Sequence, residues 1–292
     1  MKTYDIYMGD PFVYTYNNTY YLIGTTSENE GFRVYKSTDL EDWEELGFIL
    51  HKDDTGFGTG SFWAPEMFID NGKFYLTYSA FCEETNRLTM AIAVSDSPTG
   101  PFHNLHAPWF VPKDNKGSID GHIFKDDDGQ LYLYFSMNWY NAEENINTGE
   151  NYAAKLNEDM SVQEDSLVFV SRAEYPWETP MPNNRCNEGP TVIKHEGTYF
   201  LTYSANDTFT DKYGMGYLIS EHPLKEWTKI SKTPWFTSSD MVFSPGHNSI
   251  FMDLNGNFKI VFHSLKTKGF NDRVVNIRDL SVKDNRLYIQ DK

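Results

Sequence analysis

Residues 10–26, DPFVYTYNNTYYLIGTT, set two aromatic-rich runs on either side of an Asn17-Asn18 pair. Aromatic and β-branched runs of this length read as strands, and two turn-forming residues between them read as a tight hairpin. The same design returns at residues 64–80 (APEMFIDNGKFYLTYSA), 120–136 (DGHIFKDDDGQLYLYFS), 188–205 (EGPTVIKHEGTYFLTYSA) and 247–263 (HNSIFMDLNGNFKIVFH). Repeats of about fifty residues, each able to make one small antiparallel sheet, predict an all-β fold, a five-bladed β-propeller with a central pocket. In that architecture the innermost strand of every blade begins at one mouth of a central channel, so the leading residues converge on an axis. Those residues are Asp10, Ala64, Asp120, Glu188 and His247. Three carboxyls and an imidazole gathered at one phase of a repeat suit acid–base chemistry.

Working outward, each hairpin should be followed by a third and a fourth strand. Residues 32–36 and 43–46 fill those places in the first repeat, and residues 89–95 and 214–220 supply third strands in the second and fourth. An outer aromatic recurs as Trp43, Phe102 and Trp227, expected to pack each outer strand against a neighbouring blade. The third repeat is less regular. Residues 138–150 are polar and non-periodic and read as a long loop on the channel face, and residues 175–187, with three prolines, read as a second irregular connection. Long loops in compact folds are often functional, and these two flank the converging acids, so both are expected to wall a binding site. No linker or compositional break divides residues 1–292, which read as a single propeller without an accessory β-sandwich.

Composition narrows the function. Lys+Arg 25 against Asp+Glu 42 leaves a net charge of −17. Such a field repels phosphate backbones and anionic bilayers, which argues against nucleic-acid and membrane partners while leaving a neutral substrate compatible. The two cysteines, Cys82 and Cys186, have no metal-ligand spacing and read as free thiols. Cys82 is expected as buried filler, and Cys186 as a neighbour of the site that does not act in it. The opening MKTYDIYMGD has no apolar core of a signal peptide, which fits a cytoplasmic chain or a secreted one whose signal has been removed.

Two carboxyls on opposite sides of an acetal can cleave it: one, protonated, donates to the leaving oxygen, while the other takes a proton from attacking water. Asp10, Asp120 and Glu188 could serve, the third acid keeping the donor protonated by like-charge repulsion. Each has a plainer reading. Asp10-Pro11 and Asp120-Gly121 are common turn pairs, whereas Glu188-Gly189-Pro190 has no obvious propensity reason. His247 reads either as a hydrogen-bonded core histidine or as the ligand of an axial cation such as a structural calcium; no cofactor is required by the chemistry. Trp63, Phe32 and Trp139 are candidates to stack on a sugar ring, with core packing the competing role for each. Glu66 and Arg273 are candidates to bind hydroxyls.

At these residues the chain resembles glycoside hydrolase family 43, five-bladed propellers active on arabinose- and xylose-containing polysaccharides. The motifs are GDPFV at Asp10, FWAPEM at 62–67, SIDGHIF around Asp120, NEGPTVIKHEGTYFLTYSAN around Glu188 and PGHNSIF around His247, in family order along nearly the whole chain. The resemblance implies Asp10 as general base, Glu188 as general acid and Asp120 as the residue that tunes the acid. It also implies inversion at the anomeric carbon and, in many members, a calcium ion near His247. The expected substrate is an oligosaccharide or polysaccharide bearing neutral pentoses, cleaved by an exo-acting α-L-arabinofuranosidase or β-xylosidase. Endo-arabinanase and β-galactofuranosidase activities remain open on the same scaffold, as does a non-catalytic carbohydrate-binding propeller. Related sucrose- and fructan-cleaving propellers carry an R-D-P motif that this sequence lacks.

Overall fold

A computed structural model describes residues 1–230, 232–267 and 272–290. Its strands fall into five four-stranded units. Blade I holds β1 (Gly9–Tyr16), β2 (Thr19–Thr25), β3 (Gly31–Ser37) and β4 (Glu44–His51); blade II holds β5 (Trp63–Asp70), β6 (Lys73–Cys82), β7 (Arg87–Ser95) and β8 (His103–Phe110). Blade III holds β9 (Gly117–Lys125), β10 (Leu131–Asn141), β11 (Ile146–Leu156) and β12 (Val162–Arg172). Blade IV holds β13 (Asn184–His195), β14 (Thr198–Ala205), β15 (Gly214–Ser220) and the short β16 (Thr228–Lys229). Blade V holds β17 (Phe243–Met252), β18 (Phe258–Leu265), β19 (Arg273–Lys283) and β20 (Arg286–Ile289). Within each blade the strands run antiparallel in sequence order, as the repeats predict. The turn pairs Asn17-Asn18 and Asn71-Gly72 both take positive φ, the geometry that a two-residue hairpin loop requires.

The hydrophobic side chains do not form one central core. Among the described residues they separate into five clusters, each the seam between two adjacent blades. Phe32, Leu76 and Tyr78 belong to the I/II seam, Ile92, Leu133 and Phe135 to II/III, and Tyr134, Leu201 and Tyr203 to III/IV. Phe200, Ile260 and Phe262 lie in the IV/V seam, and Ile6, Leu22 and Val261 in V/I. Five blades with five seams make a closed ring, and closure removes the exposed faces that a lone sheet would leave. The outer aromatics behave as expected. Trp43 sits in the V/I seam, Phe102 in I/II and Trp227 in III/IV, so each packs its outer strand against the preceding blade.

Backbone hydrogen bonds cross some seams as well. The segment before β1 lies along β19: Met8 N–H donates to the Arg273 carbonyl at 2.9 Å, and Val275 N–H to the Ile6 carbonyl at 3.3 Å. Blades III and IV are joined by a short parallel pairing of Asn147–Gly149 with Asn184–Cys186. That pairing overturns one expectation. Residues 138–150 are not a loop, because β10 and β11 extend the hairpin through Asn141 and resume at Ile146. The polar composition of this stretch reflects a solvent-exposed hairpin tip at residues 142–145, with Asn138 and Asn147 turned to the pocket.

Ile6 is fully buried in the V/I seam, whereas Tyr4 in the same segment is 63% exposed. Ile6→Ala should lower stability by about 2–5 kcal/mol, and Tyr4→Ala should change it by less than about 0.5 kcal/mol. Chemical-denaturation midpoints of the two variants check this, and equal values would mean that the N-terminal segment does not close the ring.

Candidate active site

Each innermost strand is irregular at the same place. Gly9 pairs with Thr25, Trp63 with Ser79, Ile119 with Ser136, Glu188 with Ser204 and Gly246 with His263, and beyond each pair the register skips. The next residue in every blade is left-handed: Asp10 (φ 51°), Ala64 (47°), Asp120 (60°), Gly189 (59°) and His247 (46°). Gly adopts this conformation freely, and Asp and His tolerate it better than most residues. Three of the proposed site residues therefore occupy one structural phase, and Glu188 does not. It stands one position earlier, in the ring of Gly9, Trp63, Ile119 and Gly246, while Gly189 takes the left-handed place. The repeat beginning at Glu188 is one residue longer than the repeat beginning at Asp10, although both close on two-residue turns; that extra residue was the sequence signal of the offset.

The left-handed residues are tied to the preceding blade. Ala64 N–H donates to Thr25 Oγ1 at 2.9 Å, Asp120 N–H to Ser79 Oγ at 3.1 Å and His247 N–H to Ser204 Oγ at 2.7 Å. Asp10 N–H closes the ring onto His263 Nδ1 at 3.0 Å. Gly189 differs, since its N–H donates to Asp120 Oδ2 at 3.1 Å. Asp120 thus holds the backbone beside Glu188.

Asp10 is surrounded by donors. Thr25 Oγ1 donates to Oδ2 at 2.6 Å, Arg273 Nη1 reaches both oxygens at 3.1 and 3.2 Å, and His247 Nδ1 lies 3.3 Å from Oδ1. Burial is the largest influence and by itself raises the carboxyl, but Arg273 and then His247 outweigh it and hold Asp10 well below the ordinary range. His247 moves the opposite way: burial lowers it, and the charges of Asp10, Asp120 and Glu188 overcome that and raise it. His263 is neutral. Its Nδ1 accepts the Asp10 N–H, so its proton sits on Nε2, 2.8 Å from Thr208 Oγ1, and burial lowers its pKa to about 4.

Glu188 and Asp120 are raised. For Glu188 burial leads, opposed by His247 and by hydrogen bonds from Tyr213 and Cys186, with the Asp10 charge adding to the rise. The Tyr213 hydroxyl donates to Oε1 at 2.7 Å, and Cys186 Sγ lies 3.3 Å from Oε2. For Asp120 burial, opposed by His247 and reinforced by Glu188 and Asp10, brings the carboxyl to about 7. Two neighbouring carboxyls raised together retain a proton near neutrality. One pocket thus holds an ionised acid on blade I and a proton-bearing pair on blades III and IV.

The pocket encloses about 500 Å³ and takes in Asp10, Asp120, Glu188, His247, Trp63 and Arg273 together. Trp63 Nε1 donates to Glu28 Oε2 at 3.1 Å, and Glu28 Oε1 lies 3.6 Å from Arg273, so one carboxylate steadies both wall residues. Asn138 and Asn147 from the β10–β11 hairpin and Met181 and Asn183 from the irregular connection also face the cavity. Both segments were expected as walls. Phe32 is not a wall residue: it is fully buried against Phe62 and Tyr78 in the I/II seam. Trp139 packs on the II/III seam, with Lys116 3.9 Å above its ring, and does not line the cavity. Glu66 lies deeper along β5, bonded to His122 Nδ1 at 2.7 Å, outside the pocket. Cys82 is buried, and Cys186 does approach the site.

Glu28, Tyr213 and His263 were missed. For Tyr213 the available signal was the inner-strand Gly246, since Gly in a strand often marks a close approach, as Gly9 does beneath the expected Arg273; Glu28 and His263 had no such signal. A Cβ on Gly9 would lie 2.1 Å from Arg273 Cζ, and one on Gly246 would lie 2.0 Å from Tyr213 Cε1. As for calcium, among the described residues no group of three or more His, Cys, Asp or Glu side chains could hold a metal ion. Calcium takes six to eight oxygens, and His247 is engaged with Asp10. The protein's own donors do not make that shell, and no chemistry below passes through a metal.

The profile of glycosyl hydrolases family 43 matches residues 6–285. A thermostable family-43 glycoside hydrolase of known structure superposes with a TM-score of 0.92 at 35% identity, over 100% of this chain and 96% of that one. An endo-1,4-beta-xylanase structure from Bacteroides thetaiotaomicron gives 0.85 at 34% identity, over 100% and 96%. A xylosidase/arabinosidase of Bacteroides ovatus is 25% identical, over 72% of this chain and 74% of its own. The chain, a closed propeller with three acids at its mouth, belongs to glycosyl hydrolase family 43.

Proposed function

We propose that this propeller is the catalytic unit of an inverting glycosidase that releases neutral pentoses, as an α-L-arabinofuranosidase or β-xylosidase. The observation that carries the reading is the opposition of protonation states across one pocket. Asp10 is held well below the ordinary carboxylate range, and Glu188 is raised. Asp10, ionised, takes a proton from water as it attacks the anomeric carbon. Glu188 gives its proton to the departing oxygen, and Asp120 keeps Glu188 charged with that proton while fixing the backbone beside it. Positive charge gathering on the sugar ring in the transition state is favoured by the surrounding carboxylates. Trp63 offers an aromatic face at the wall, and Arg273, besides holding Asp10, presents a guanidinium to sugar hydroxyls.

The choice of pentose follows the likeness to a protein named xylosidase/arabinosidase. The likeness to a protein named endo-1,4-beta-xylanase supports a second reading, internal cleavage. Incubation with xylan and with linear arabinan, following product sizes and anomers by NMR, decides between them. Monomers of inverted configuration are expected; oligomers would favour the second reading, and retained configuration would remove the single-displacement mechanism.

Glu188→Gln should reduce turnover of pentose oligosaccharides by about 10²–10⁴-fold, with much smaller losses on dinitrophenyl pentosides, whose leaving group needs no proton. Equal losses on both would remove the acid role. The pH dependence of kcat/KM should be bell-shaped. Its acidic limb, set by Asp10, should lie below the usual carboxylate range, and its alkaline limb, set by the raised Glu188–Asp120 pair, above it. Arg273→Leu removes the cation that keeps Asp10 ionised, so the acidic limb should move up. Asp120→Asn removes a neighbouring negative charge, so Glu188 should lose its proton sooner and the alkaline limb should move down. A limb that stays in place in either variant contradicts the corresponding assignment.

A further inference from the structure

We propose that the Tyr213 ring and the His263 imidazole form a brace that sets the spacing of Asp10 and Glu188, with the Tyr213 hydroxyl as the positioning donor of Glu188. This rests on the reading of Asp10 as base and Glu188 as acid. The two carboxyls come from blades I and IV, and blade V lies between these blades in the ring. An inverting hydrolase needs a gap that admits one water in the right orientation. Something must therefore hold the distance across blade V.

The chain of contacts runs without a break. Tyr213, just before β15, donates its hydroxyl to Glu188 Oε1 at 2.7 Å. Its ring stacks on that of His263, with centroids 5.7 Å apart and planes 7° from parallel. His263, fully buried on β18, accepts the Asp10 N–H at 3.0 Å. Gly246 makes room for the stack, since any Cβ there would overlap the tyrosine ring. Thr208 fastens the far side. Its hydroxyl lies 2.8 Å from His263 Nε2, and its carbonyl accepts from Ser244 Oγ at 2.8 Å. One short segment, residues 208–213, therefore touches the supports of both acids.

The groups facing Glu188 are His247, Asp10 and Asp120 from three of the four other inner strands, Cys186 from its own, and Tyr213. A hydroxyl donating to a carboxylate favours the charged form. Its removal therefore raises the acid and moves the alkaline limb of activity upward.

Two variants separate the hydroxyl from the ring. Tyr213→Phe keeps the stack; on pentose oligosaccharides, whose departing oxygen needs the acid's proton, its alkaline limb should move up by about one pH unit. Tyr213→Leu loses both; its kcat should fall on the order of a hundredfold on activated and natural substrates alike, with KM little changed. Wild-type turnover by the Leu variant, or an unmoved pH profile in the Phe variant, overturns the brace. Thermal melts show whether the Leu variant folds, and if it does not, the Phe profile decides alone. Full activity of Glu188→Gln on every substrate would instead remove the acid assignment, which tells the two failures apart.

Discussion

Five inner strands carry a residue in left-handed backbone where they meet the channel, and all five of these residues donate their N–H to a side chain of the preceding blade. This repeated, individually unfavourable geometry is the constraint on which the site depends. A regular strand would alternate its side chains between the two seams and send none to the axis. The register skip breaks that alternation at the mouth of the channel and brings Asp10, Asp120 and His247 to the cavity. The seams, each filled with aromatic and aliphatic side chains, hold the blades tightly enough for the local strain to persist. Rigid elements rather than loops thus supply the acids, and a gap the width of a water can be maintained.

Placed at one mouth, three carboxyls would repel one another if all were ionised. Their surroundings sort them. Asp10 has a guanidinium, a raised histidine and a hydroxyl within hydrogen-bond or ion-pair distance, while Glu188 has only a hydroxyl and a thiol as direct donors. Burial acts on all three alike, so the difference comes from where the cations stand. Arg273 is on the Asp10 side, and His247 acts on every carboxyl of the group. Had the guanidinium reached Glu188 instead, the same acids on the same strands would run the chemistry in the reverse sense.

Much of this was legible in the sequence, and the limits have physical reasons. The hairpins announced themselves because seams between twisted sheets demand large alternating side chains and tight turns demand Asn or Gly. Asp10, Asp120, Glu188 and His247 stood out because nothing in strand propensity asks for them. The offset of Glu188 was hidden because the left-handed place of its blade is taken by Gly189, and the hydrophobic alternation that aligns the repeats does not mark that place. Phe32 and Trp139 misled because an aromatic near a strand start serves a seam as readily as a sugar. Residues 138–150 looked like a loop because the hairpin reaches past its seam, so that its tip is solvent-exposed and polar and only Asn138 and Asn147 turn to the cavity. Tyr213 carried no mark of its own beyond the bare Gly246 beneath it, and His263 carried none.

Gly9 and Gly246 put two absences into the inner ring, and these decide how the cavity can be remodelled. Arg273 and Tyr213 lie over those vacant places, entering from β19 and from the segment ahead of β15 rather than from the strands that carry the acids. The groups that set charge and alignment thereby come from segments other than the strands that carry the carboxyls. Either visitor can be exchanged for a smaller side chain without altering the sequence of the innermost strands, so charge at the carboxyls and their alignment are open to change one at a time.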